Sequence, residues 1–163
     1  MATFSEIYDV VESIVTTTLT SHIEIKNPYK LEQNTELSFN AAYGIAISSG
    51  DDVSENLRSG QVQRQREFII HLTRRKFATS GDRATMKSTE KALVEDWTLL
   101  ADAITANPSL LNATTDNTGI QDTTFGSDPG IEFVSLEKSR DGILVISTVL
   151  TVKYEASVSL LGC

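Results

Sequence analysis

The sequence predicts an α+β fold: a four-stranded, mostly antiparallel sheet with two helices packed on one face, in the order α-β-β-α-β-β. Two segments repeat apolar residues every three or four positions, which is typical of amphipathic helices. Four other segments alternate apolar and polar residues or are continuously apolar, which is typical of strands. The length of 163 residues favours a single domain, 1–163, with one core.

The first half of the chain predicts one helix and two strands. Thr3 and Glu6 have the spacing of a capping box, and apolar residues recur behind them at helical intervals. The first strand carries only small residues on its second face, which lets another backbone approach closely. The predicted elements are a helix over 4–21, a connector over 22–34, strands over 36–48 and about 62–77, and a polar loop at 49–61.

The second half predicts one helix and a closing hairpin. A Thr-, Asn- and Asp-rich stretch in which Ile120 and Phe125 are the apolar anchors is interpreted as a long functional or mobile loop. Asp141 and Gly142 favour a tight turn. The predicted elements are a helix over 83–106, a loop at 112–130, a strand beginning at 131 and a final strand over about 142–156.

The final strand is apolar on both faces. Ile143, Val145 and Val149 point away from the face that the two helices cover. Either a loop or another subunit must therefore cover them, and exposed apolar patches of this kind often mark protein interfaces. These three residues are candidate interface residues.

Charge narrows the classes of partner. The 22 acidic and 14 basic residues give a net charge of −8, which argues against duplex nucleic acid and anionic membranes as main partners. The longest aliphatic run, 143–146, is far too short for a membrane helix, and the N-terminus has no signal-peptide pattern. With Cys163 as the single cysteine, no intrachain disulfide is possible, and a soluble intracellular protein is expected.

Basic residues cluster in the second predicted strand. Arg74, Arg75 and Lys76 follow its apolar part, and Arg64 and Arg66 precede it. They are interpreted either as an electrostatic contact with an acidic partner, including another copy of this chain, or as solvated strand ends that discourage aggregation. The early half of the strand is polar on both faces, which predicts an arm that projects beyond the core.

Catalytic and metal-binding patterns are weak, so no catalytic residue, metal or cofactor is expected. The sequence has no G-x-S-x-G elbow, phosphate-binding loop or dinucleotide fingerprint. The two histidines, His22 and His71, lie far apart and lack ligand spacing, so they are interpreted as polar surface or edge residues rather than a metal pair. The loop acids and amide do not match a calcium-binding loop and are interpreted as solvated. They are Asp116, Asn117, Asp122 and Asp128.

The second predicted helix has a charged face and an apolar face. Its charged residues are interpreted as a solvated face with pairing between successive turns. Trp97 falls in the apolar stripe and is predicted to lie in the core. The charged residues are Lys87, Glu90, Lys91, Glu95, Asp96 and Asp102.

Four features, taken in order along the chain, carry a resemblance to a known family: a capped helix, a strand pair, a second helix and a closing hairpin. They lie at Phe4, Ile7 and Ile14, at 43–47 with 66–70, at Leu93, Asp96, Trp97 and Leu100, and at 130–133, 142–144 and 154–155. In pattern and order, rather than in an invariant motif, nearly the whole chain resembles the tail terminator (tail completion) proteins of long-tailed bacteriophages.

The resemblance implies a structural virion protein without catalytic residues. Such proteins form a hexameric ring that caps the tail tube, ends its polymerisation and provides the surface for joining the head. The implied partners are other copies of the chain, the tail tube protein and a head connector or neck protein. The implied location is the head–tail junction of the virion, reached from the host cytoplasm during assembly.

Two other functions remain open from the residues. One is a small-molecule-binding or regulatory α+β domain whose ligand occupies the second sheet face. The other is a small enzyme with an acidic site in the 112–130 loop, although no paired acid and base can be located there.

Overall fold

The computed structural model describes residues 3–34, 41–53, 61–76, 83–110, 120–126, 130–135 and 142–157. These residues form two α-helices, a short 3-10 helix and one sheet of six strands. The helices are α1 (Phe4–Thr18) and α2 (Arg83–Ala106), and the 3-10 helix is Leu31–Gln33. The strands are β1 (Ile23–Glu24), β2 (Ala42–Val53), β3 (Gln61–Lys76), β4 (Ile120–Phe125), β5 (Ile131–Ser135) and β6 (Gly142–Ser157).

The sheet is mixed, and its two edges differ. Its strand order is β1-β2-β3-β6-β4, and β5 also pairs with β6. Only the β1–β2 pair is parallel among the described strands. β4 and β5 lie along the same edge of β6, with β4 beside 150–154 and β5 beside 142–146. One edge of the sheet therefore consists of β1 and β2, and the other of β4 and β5 in line.

The predicted four-stranded sheet in the order α-β-β-α-β-β is wrong, because the described sheet has six strands. The first strand that the prediction missed, β1, is two residues long, too short to show any sequence period. The second, β4, lies within the predicted 112–130 loop. The predicted 49–61 loop is also shorter, since β2 continues to Val53 and β3 begins at Gln61. Residues 36–40, 54–60, 111–119, 127–129 and 136–141 lie outside the described residues.

A register shift explains why β4 does not look like a strand in the sequence. Strict alternation would place Ile120 and Phe125 on opposite faces, since they are five positions apart. The β4–β6 register shifts between Ile120 and Asp122, so Ile120 pairs with Tyr154 and Phe125 with Leu150. Both β4 side chains consequently face the helices and pack with the main core.

Both helices pack on one face of the sheet. The capping box is confirmed: the Glu6 amide donates to Thr3 Oγ1 and the Thr3 amide to a Glu6 carboxylate oxygen. Phe4 stacks on Phe68 of β3 at a centroid separation of 5.8 Å. The strands contribute alternating side chains to this core, as their period requires. They include Tyr43, Ile45, Val62, Phe68, Ile70, Leu72, Leu144, Ile146, Leu150, Val152 and Tyr154.

The chain covers part of the second sheet face with its own connector. Ile25 packs on Ala42, Ile143 and Val145, with Leu31 of the 3-10 helix beside them. The small face of β2 makes this approach possible, since a Cβ at Gly44 would lie 3.0 Å from Ile25 Cδ1. A loop therefore covers this end of the second face.

Candidate functional site

A buried ion pair joins β3 to α2. Arg74 Nε donates to Asp96 Oδ2 at 2.7 Å, and Arg74 Nη2 donates to Asp96 Oδ1 at 2.9 Å. His22 Nε2 lies 3.1 Å from the same Oδ2, with the His22 side chain 3% exposed. Its ring is not aligned for a hydrogen bond there, and among the described residues neither ring nitrogen has a hydrogen-bond partner. Asp96 is therefore buried in a charged cluster, and its assignment to a solvated helix face was wrong.

The cluster keeps the Asp96 carboxylate ionised. Burial would raise the pKa of Asp96, but the contacts with His22 and Arg74 outweigh it and hold that pKa below its ordinary value. Hydrogen bonding to Asp96 likewise raises the pKa of Arg74. Arg74 is therefore engaged within its own chain rather than free to contact a partner.

A second ion-pair cluster lies further along the same strand pair. Asp52 of β2 accepts hydrogen bonds from both Arg64 and Arg66 of β3. The hydrogen bond from Arg66 is the main cause that lowers the pKa of Asp52. The Asp52 side chain is 38% exposed, so solvent weakens this cluster. The two arginines of the predicted arm thus neutralise an acid on the adjacent strand.

The four arginines and three apolar residues that the sequence offered as interface candidates have different surroundings. The backbone of Arg75 pairs with that of Ile143. Ile143 is fully buried and Val145 is 2% exposed, both beneath the connector, so neither lies on a free surface. Val149 is 43% exposed on the uncovered part of the same face. Of the three apolar candidates, only Val149 is accessible to another molecule.

The uncovered part of the second face contains a cleft of about 380 Å³. Tyr29, Glu32, Ile69 and His71 are among the side chains that line it. His71 Nδ1 lies 2.7 Å from Ser147 Oγ, and burial lowers the pKa of His71. A small ligand with an apolar body would meet both apolar and polar groups in this cleft.

The two histidines do not form a site together. His22 contacts Asp96 of α2 on the helix side, whereas His71 pairs across strands with Ser147 on the opposite face. Asp122 is an exposed residue of β4, while Asp116, Asn117 and Asp128 lie outside the described residues, as does Cys163. Within the described ranges, no three His, Cys, Asp or Glu side chains are grouped so that they could hold a metal ion.

Trp97 is half-buried and packs against the main core, as predicted. Its Nε1 donates to Thr148 Oγ1 at 3.0 Å, and its ring stacks on Phe125 at 5.8 Å. Trp97 thereby links α2 to the β4 edge. Neither helix, over the residues that the structure describes, combines the length and apolarity needed to span a membrane.

Exposed apolar side chains lie at both edges of the sheet. Tyr29 and Ile47 are 64% and 45% exposed beside the open part of β2. Ile131 and Phe133 are 36% and 45% exposed on β5, at the opposite edge. The sequence pattern did not indicate these edge residues, since the position of a strand in a sheet depends on which strands pair with it. The apolar residues of β5 are evident in the sequence, but their pattern does not indicate that their side chains are exposed to solvent.

No protein-family model matches this chain, and no curated protein matches its sequence.

Proposed function

We propose that this chain is a structural subunit of the tail-terminator type, which forms a ring, caps a phage tail tube, ends tube polymerisation and provides a head-joining surface. One observation carries the proposal: two different apolar surfaces lie at opposite edges of one sheet. Tyr29 and Ile47 belong to the first, and Ile131 and Phe133 to the second. The resemblance of the capped helix, the strand pair, the second helix and the closing hairpin to tail terminators supports the same assignment, although the sheet has two strands more than predicted.

Two different surfaces on opposite sides suit a ring. When one surface of a subunit contacts the other surface of the next, the contact is heterologous and repeats around a rotation axis. A twofold dimer would instead bury the same surface on both copies. Apolar side chains at both edges therefore favour head-to-tail contacts between copies of this chain.

The net charge of the chain favours apolar contacts between its copies. Each subunit carries a net charge of −8, and this charge repeats in every copy of a ring. Arg64 and Arg66 are bound to Asp52, and Arg74 is bound to Asp96. Since these three arginines are already paired, we expect burial of the exposed edge residues to offset much of the repulsion between copies.

Sedimentation velocity and negative-stain electron microscopy of edge variants test the proposed contacts. We expect the unmodified chain to form closed rings, and Ile47→Asp and Phe133→Asp each to give folded monomers, because a carboxylate would be buried at the contact. Leu99→Asp is the matched control, since Leu99 is 56% exposed and belongs to α2 rather than to an edge strand. Rings that persist in both edge variants would contradict the proposed contacts.

Addition to growing tail tubes tests the function itself. A phage tail tube protein would be polymerised with and without the chain, and tube lengths measured by electron microscopy. The proposal predicts shorter tubes with a ring at one end. Unchanged length and bare tube ends would contradict it, whatever the oligomeric state in solution.

The cleft on the second face favours a second candidate function, the binding of a small molecule by a regulatory domain. Its lining combines the apolar Ile69 with the polar groups of His71 and Glu32. A thermal-shift screen against metabolites would test this alternative. A specific rise of several degrees, lost in His71→Ala, would favour it over the ring subunit.

A further inference from the structure

The open edge of β2 is the starting observation. β1 pairs only with Ala42 and Tyr43, whereas β2 continues to Val53. Among the described residues, no strand pairs with β2 on this side beyond Tyr43. An open strand edge presents unpaired backbone donors and acceptors, which another strand can satisfy.

The opposite edge presents its own open strands. β4 and β5 pair with β6 on one side, and no described strand lies on their other side. The direction of β4 and β5 relative to β2 follows from the pairings between them. β2 is antiparallel to β3, β3 to β6, and β6 to both β4 and β5. β4 and β5 therefore run antiparallel to β2. Rotation about an axis parallel to the strands does not change strand direction, so β4 and β5 of a neighbouring copy in a ring also run antiparallel to β2.

The two edges also match in level, that is, in position along the strand direction. Ile47 pairs with Phe68, Phe68 with Leu150, and Leu150 with Phe125, so β4 is level with the open part of β2. By the same reasoning, Glu132 of β5 is level with Ala42, which pairs with β1. A neighbour placed beside the sheet would bring its β4 against open β2 and its β5 against β1.

Side-chain direction is consistent with such a junction. Ile47 shares its sheet face with Phe68, and Phe125, Ile131 and Phe133 share theirs with core residues of β6. All four therefore lie on the helix side of the sheet. In a continuous sheet, apolar residues of adjacent strands on one face pack against each other, which stabilises the pairing.

We propose that the β1–β2 edge of one copy pairs antiparallel with the β4–β5 edge of the next, with β4 beside open β2, so that the sheet continues from subunit to subunit. This inference rests on the proposed ring and names its contact. The Tyr29 hydroxyl accepts a hydrogen bond from the Ile47 amide at 3.0 Å, so that amide points away from β3. In the free subunit, the hydroxyl of Tyr29 occupies the position from which a carbonyl of the neighbouring copy would accept this hydrogen bond. The Tyr29 side chain is 64% exposed.

Substitution of the outward-pointing amide tests the backbone pairing. Ile47→Pro removes this donor without removing a β2–β3 hydrogen bond, and proline is tolerated at such an edge position. Ile47→Ala is the matched control, because it also shortens the side chain but keeps the donor. We expect rings from Ile47→Ala and folded monomers from Ile47→Pro in sedimentation velocity. Rings from both variants would overturn the inference.

Tyr29→Phe gives a second, opposite test. Loss of the hydroxyl leaves the Ile47 amide open, so this variant is expected to form rings at a concentration about 2- to 10-fold lower than the unmodified chain. An unchanged or higher assembly concentration would show that Tyr29 does not hold the place of a partner group.

Amide hydrogen exchange decides the case if Ile47→Pro fails to fold. On going from monomer to ring, the amides of 45–53 and of 120–125 are expected to gain protection. Rings without this gain would overturn the inference and leave the proposed function intact. A chain that forms no ring and leaves tube growth unchanged would overturn the proposed function itself.

Discussion

Arg74 donates two hydrogen bonds to Asp96, at 2.7 and 2.9 Å, although the two residues are 22 positions apart and belong to different elements. The pair fastens the end of β3 to α2, and His22 brings the start of the connector against the same carboxylate. It thus connects the helix side of the sheet to the segment that crosses onto the second face. The ring proposal depends on this scaffold, since the connector also places Tyr29 at the β2 edge.

Asp96→Asn is expected to reduce the free energy of unfolding by about 3 kcal/mol, because removal of one partner of a buried ion pair leaves the other uncompensated. Urea unfolding at neutral pH measures the loss. Glu95→Gln is the control, since Glu95 is the adjacent exposed residue of α2 and a change near zero is expected there.

The pH dependence of this loss has a definite sign. The folded-state pKa of Asp96 is depressed, so its contribution is present above the unfolded-state value of about 3.9 and disappears as the pH falls through the folded-state value. The stability difference between the unmodified chain and Asp96→Asn should therefore shrink below about pH 3.9. A difference that grows on acidification would contradict the assigned role.

Asp52→Asn is expected to cost no more than about 1 kcal/mol, although Asp52 has two arginine partners. Solvent reaches this cluster, whereas it hardly reaches Asp96. Urea unfolding of both variants under identical conditions makes the comparison. An equal or larger loss for Asp52→Asn would show that burial does not govern the strength of these two clusters.

Val145→Asp and Val149→Asp should separate core from surface on the same strand. Val145 is 2% exposed beneath Ile25, so a carboxylate there is expected to prevent folding. Val149 is 43% exposed, so its variant is expected to stay folded with a change of about 0.5 kcal/mol or less. Circular dichroism distinguishes the two. Folded Val145→Asp would indicate that the connector does not cover this face.

Gly44→Val tests the close approach of the connector. The added side chain would meet Ile25 and Pro28, whose nearest atoms lie 3.0 and 3.2 Å from the Cβ position. We expect a loss of about 1–3 kcal/mol from overpacking, measured by thermal unfolding. Ser48→Val, on the same strand but exposed, is the control and should change stability little. Equal effects of the two substitutions would argue against a specific contact.

Local sequence patterns predicted most elements of this fold. The bounds of α2 agree with the prediction of 83–106, and the Thr3–Glu6 box starts α1 where its spacing indicated. Periodicity failed where a bulge interrupts it, as between Ile120 and Asp122 in β4. It also gave no signal for β1, whose two residues are strand-like only because β2 lies beside them.

The charged clusters could not be predicted from local pattern. Asp96 looks solvated among the other charged residues of α2, and only the packing of α2 against β3 brings Arg74 to it. Likewise, Ile143 and Val149 both lie off the helix face in the sequence pattern, but the connector buries Ile143 and leaves Val149 exposed. Such differences are set by contacts between distant segments, which spacing does not encode.

The most direct test of the ring-subunit proposal is electron microscopy of tail tubes polymerised with this chain. The proposal predicts tubes of limited length, each with a ring of this chain at one end, and longer, bare tubes when Phe133→Asp replaces it. Tubes of unchanged length with no density from the chain at either end would contradict it.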